Sequence, residues 1–83
     1  MNFQKWIDTF LSEKGIDAED RVSAEGDMGI NSIPVGCLVD MMKQAPAQEQ
    51  RAIKATLIKI DFTAPGRKPV LDYLAHLAKA VAI

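Results

Sequence analysis

The sequence predicts an all-α fold: about four helices packed around one core, with an irregular acidic loop between the first and the second. Three observations predict it. Apolar residues recur at helical spacing in four stretches, turn residues separate most of those stretches, and residues 17–31 carry no helical period. With 83 residues the chain is expected to form a single helical domain, 1–83, that buries only about 60% of its unfolded surface. Hydrophobic residues make up 48% and the net charge is −1, which places the chain among folded rather than disordered sequences.

The first helix has the clearest signal. Phe3, Trp6, Ile7, Phe10 and Leu11 fall at i, i+3, i+4, i+7 and i+8 and form one stripe. Asn2 is suited to cap its start. Gly15 is suited to a left-handed exit, with Ile16 folding back on Leu11. Residues 17–31 are acidic and turn-rich, and Arg21–Ala24 reads as at most a short extended piece. A second helix is expected from Ser32, with the Ser32 hydroxyl as cap and Pro34 in the first turn. Val35, Leu38, Met41 and Met42 form its stripe, widened by Ile33, Cys37 and Val39, so it is expected to be the most buried helix. Pro46 opens a third helix, from Ala47 to about Ile60, with Ile53, Leu57 and Ile60 inward and Gln50, Arg51, Lys54 and Lys59 on the polar side. The alternation from Leu57 to Phe62 leaves a strand ending as a competitor. After the turn Thr63–Gly66, Pro69 starts a last helix with Val70, Leu74, Leu77, Ala78 and Val81 inward and Tyr73 at the edge.

Charge is unevenly distributed. Residues 1–40 carry three Lys/Arg against eight Asp/Glu, a balance of −5, and residues 41–83 carry seven against three, a balance of +4. Either the halves neutralise each other across the fold, or a basic face meets an acidic partner. The single cysteine, Cys37, excludes an internal disulfide and a multi-cysteine zinc site. The N-terminal residues lack the basic and apolar regions of a signal peptide, and no apolar run has the length of a membrane span. A cytoplasmic protein without membrane contact is the expectation.

Residues with chemical potential have simpler readings beside the functional ones. His76 has Asp72 one turn before it, a surface pair rather than a coordination sphere. Cys37 lies on an apolar patch and reads as a small buried hydrophobe. Asp17, Glu19, Asp20, Glu25 and Asp27 lack the alternating ligand order of a calcium loop. No catalytic, cofactor-binding or metal-binding residue and no cofactor is assigned.

Two specific functions have partial support. Helices two and three, joined at Gln44-Ala45-Pro46, could form a helix-turn-helix. In it, Gln48 and Gln50 would read bases, and Arg51, Lys54, Lys59, Arg67 and Lys68 would contact phosphates. The sequence pI of 5.7 opposes this. The segment Asp27-Met28-Gly29-Ile30-Asn31-Ser32-Ile33 resembles the D-L-G-x-D-S-L motif of acyl carrier proteins. That resemblance implies Ser32 as a phosphopantetheine attachment point. Asn31 in place of the aspartate, Pro34 just after the serine and a long basic third helix depart from the family's pattern. With no acid–base pair, nucleophile or metal cluster visible, the main expectation is a non-enzymatic protein-interaction module. The irregular 17–31 segment or the methionine-bearing second helix would be its contact surface, with a protein partner or self-association as the interaction.

Overall fold

The structure is a computed structural model that describes residues 2–26 and 29–81, with the side chains of residues 25, 26, 31, 80 and 81 outside the description. The elements run α1 (Phe3–Glu13), β1 (Arg21–Gly26), β2 (Gly29–Pro34), α2 (Val35–Gln44), α3 (Ala47–Thr63) and α4 (Arg67–Val81). The fold is mostly helical, but not all-α. The expected irregular loop is an antiparallel hairpin in which Val22 pairs with Ile33, Ser23 with Ser32 and Gly26 with Gly29.

The hairpin was hidden because its second strand does not alternate in sequence. Ile30 and Ile33 are three apart, a helical spacing, and on a strand an odd separation puts them on opposite faces. Ile33 packs against the core, while Ile30 is 77% exposed. On β1 the alternation is short: Val22 and Ala24 are buried, whereas Arg21 and Ser23 are exposed. Gly29 takes φ 108°, a conformation open to glycine at little cost, at the start of β2.

Because β2 continues through Pro34, α2 starts three residues later than the sequence predicts, and Ser32 does not cap it. Main-chain carbonyls receive its first amides instead. Val35 N–H donates to the Asp20 carbonyl at 2.7 Å, and Gly36 N–H donates to the Ala18 carbonyl at 3.1 Å. A Cβ on Gly36 would stand 3.2 Å from Ala18 Cβ, so a small residue permits this close approach. The acidic segment before the hairpin is itself ordered. Asp17 Oδ1 accepts from the Glu19 and Asp20 amides, and Asp20 Oδ2 accepts from the Asp17 amide.

The other helices follow their patterns, except that α4 begins at Arg67, two residues before Pro69, which falls inside its first turn. The Asn2 side chain accepts from the Lys5 amide at 2.9 Å, Gly15 exits α1 at φ 71°, and Ile16 N–H donates back to the Leu11 carbonyl. Helix α3 runs three residues beyond the expected end, which removes the strand alternative. The core gathers Ile7, Leu11, Val22, Val35, Leu38, Met42, Leu57, Val70, Leu74 and Ala78. Helix α4 lies against β1 more extensively than any two helices lie against each other. Three of its residues, Val70, Leu74 and Ala78, are fully buried. Among the described residues, no helix is long and apolar enough to cross a membrane.

Candidate functional site

The charge asymmetry resolves into ion pairs. Lys43 meets Asp8 at 2.9 Å and Arg67 meets Asp20 at 3.1 Å, each joining the basic half of the chain to the acidic half. Lys14 pairs with Asp61 between α1 and α3, and Lys68 with Asp72 one turn apart on α4. Asp72 is therefore occupied by Lys68 rather than by His76, which is exposed.

After these pairings, a group of cations remains on α3. Among the described residues, Arg51, Lys54 and Lys59 have no acidic partner. Lys54 is held with its ammonium 5.3 Å from the centre of the Trp6 ring, a cation–π contact. Trp6 is fixed in turn by stacking on Phe10, with 5.0 Å between ring centres. The helix geometry puts Arg51, Ala55, Ile58 and Phe62, at i, i+4, i+7 and i+11, on one stripe. That stripe faces solvent. Ile58 is 48% exposed and Phe62 87% exposed, and Arg51, Ala55 and Lys59 are exposed beside them. The opposite side of α3 buries Leu57 completely, with Ile53 and Ile60 half-buried. The helix is thus apolar on two sides and only one is used by the core. The i+4 spacing of Phe62 from Ile58 is visible in the sequence, but the alternation from Leu57 to Phe62 fits a strand as well and masks it.

The structure redistributes the residues selected for a helix-turn-helix. Gln50 turns inward and its Nε2 donates to the Lys43 and Met42 carbonyls at 2.9 and 3.3 Å, closing the carboxyl end of α2. Arg67 and Lys68 are engaged by Asp20 and Asp72. Gln48, Arg51 and Lys59 stay exposed.

Ser32, the residue implied by the carrier resemblance, lies in the middle of β2, where its hydroxyl accepts from Arg21 Nε at 2.8 Å and its carbonyl from Arg21 Nη2 at 2.9 Å. The preceding residues Asp27 and Met28 lie outside the described structure. Cys37 is exposed, not a buried hydrophobe. On α2, Met42 is buried and Met41 is 39% exposed.

Three of the surface grooves are lined by described residues. One of about 580 Å³ between α1, the 15–18 segment and α2 is lined by Asp8, Asp17, Asp40 and Lys43 among others. One of about 370 Å³ lies between Met41, Ala45, Ile53 and Leu77, and one of about 190 Å³ lies between Phe3, Gln50, Arg51 and Lys54. Ser32, Cys37 and His76 line none of these three. Among the described residues, no three His, Cys, Asp or Glu side chains come together as a metal site. Tyr73 ionises above the ordinary tyrosine value of 10.0, because burial disfavours the phenolate and a hydrogen bond with Thr56 offsets only part of that. No protein-family model matches the chain, and neither curated proteins nor solved structures provide a match.

Proposed function

We propose that this protein is a non-enzymatic, cytoplasmic protein-interaction module that binds its partner through the outer face of α3. The observation that carries this reading is the exposure of Phe62 and Ile58 on consecutive turns of a helix whose other side is already anchored. A phenylalanine left 87% in water forgoes roughly 2 kcal/mol of burial, and aromatic side chains are the usual anchors of protein interfaces. The face is carried by a 17-residue helix tied to α1 through Lys14–Asp61 and to α2 through Gln50. It is therefore presented without a loop that would have to order on binding.

Photo-crosslinking tests the proposal. Benzoylphenylalanine placed at position 62 should form adducts with a discrete protein in the native host. The same group at exposed Glu19 should not, and Ile58→Asp should abolish the adduct at 62. Equal adducts from positions 62 and 19 would remove the support for this face.

A further inference from the structure

The charge around the apolar stripe identifies the chemistry of the partner. From the juxtaposition of Ile58 and Phe62 with Arg51, Lys54 and Lys59 on one face of α3, we infer that the occupant is an acidic amphipathic helix of another protein. This inference rests on the interaction reading above and extends it to the partner's chemistry. The stripe from Arg51 to Phe62 spans about 16 Å of helix axis, and Ala55 in its middle leaves a shallow step between larger neighbours. That is the relief into which a ridge of side chains on a second helix packs. Around it the three cations have no acidic partner among the described residues, while Lys14, Lys43, Arg67 and Lys68 do. A partner with carboxylates flanking an apolar row would cover Ile58 and Phe62 and place opposite charge at the rim.

The same features disfavour other occupants. A second copy docked antiparallel through α3 would set Lys54 of each chain near Lys59 of the other, and a parallel copy would set each cation beside its equivalent, a like-charge contact around a small apolar centre in both cases. A membrane surface needs a broad apolar half-cylinder. Here only two large apolar side chains stand out, with the small Ala52 and Ala55 beside them. A nucleic acid would gain phosphate contacts but would leave Ile58 wet, and four of the chain's ten Lys/Arg are already engaged by carboxylates.

The test uses the full chain and designed probes. A peptide of about 18 residues, long enough to hold a helix, carries leucines at helical spacing with glutamates on both flanks; its counterpart carries lysines instead. Binding is followed by backbone amide shifts of the labelled protein. The acidic peptide should bind about tenfold tighter than the basic one, because three rim ion pairs form with one and three repulsions with the other. Its shifts should centre on residues 51–62, and the preference should shrink at high salt. Arg51→Glu/Lys59→Glu should reverse the preference without unfolding the protein, since both positions are exposed. Equal affinity for the two peptides or no binding overturns the inference. So does a stronger response to a single-stranded oligonucleotide or to anionic phosphatidylserine vesicles, or a concentration-dependent dimer in which residues 51–62 shift. Crosslinking at position 62 to a protein, together with indifference to peptide charge, would leave the interaction module standing and remove only its acidic partner.

Discussion

Leu57 and Ile58 are neighbours in sequence and similar in size, but the step of about 100° between them around α3 puts one in the core and the other at the surface, so they separate what the core uses from what it leaves open. Leu57 is completely buried and is the single fully buried residue of its helix among those described, whereas Ile58 is 48% exposed. Leu57→Ala removes three carbons from a packed site, and both the lost transfer energy and the residual cavity act against the fold, for about 2–5 kcal/mol. A domain of this length has roughly 4–12 kcal/mol in total, so the loss is a large share of it and should lower Tm by about 10 °C or more. Ile58→Ala loses little burial and gains a few tenths of a kcal/mol of helix propensity, so its net effect should stay within about 0.5 kcal/mol. Urea denaturation followed through Trp6, the chain's one tryptophan, measures both. Equal losses for the two variants would refute the assignment of α3's faces. A loss for Ile58→Ala that grows with protein concentration would show that the outer face is covered by a second copy.

Further outcomes follow from the hairpin, the helix junction and the tyrosine. Ala24→Leu should overfill the contact between β1 and its surroundings, costing about 1–3 kcal/mol, while Ile30→Thr on the open face should change stability by less than about 0.5 kcal/mol; thermal melts distinguish them. Gln50→Ala should cost about 1 kcal/mol in denaturant titrations, because two carbonyls at the end of α2 lose their donor. Asp61→Asn should destabilise by up to about 1 kcal/mol at low salt and by less at high salt, since the pair with Lys14 is only partly screened by the protein. Tyr73 holds its proton longer in the folded chain than in the unfolded one. The stability it contributes is therefore complete below pH 10.0 and is lost as pH rises from there through the native value. Tyr73→Phe should flatten that alkaline decline in a pH series of unfolding curves.

Four helices were legible because each repeats an apolar residue every three or four positions, and the stop at Gly15 and the cap at Asn2 are local chemistry. The hairpin was not, because β2 is assembled from Gly, Asn, Ser and Pro with two isoleucines at helical spacing. Its stability comes from pairing and from α4, both distant in sequence. The start of α2 was misplaced for a related reason. Ser32 is a good cap by type, but strand pairing claimed it, and main-chain carbonyls from residues 18 and 20 do the capping. At the candidate surface, Arg51, Lys54 and Lys59 were legible as the polar side of their helix. Cys37 and Met41 were read as buried and are exposed, because periodicity reports that a helix has an apolar side but not how wide its neighbours are. Which cations would be neutralised depended on contacts between elements that no local pattern encodes.

The docking of α4 on β1 has a consequence for how the protein comes into being. During synthesis the hairpin leaves the ribosome well before residues 67–81, so Val22 and Ala24 lack their main cover until α4 is available. Burial of that face thus waits on an element made much later than the sheet itself, and a chain stopped at the 64–66 turn would keep a sheet with an apolar side open to aggregation.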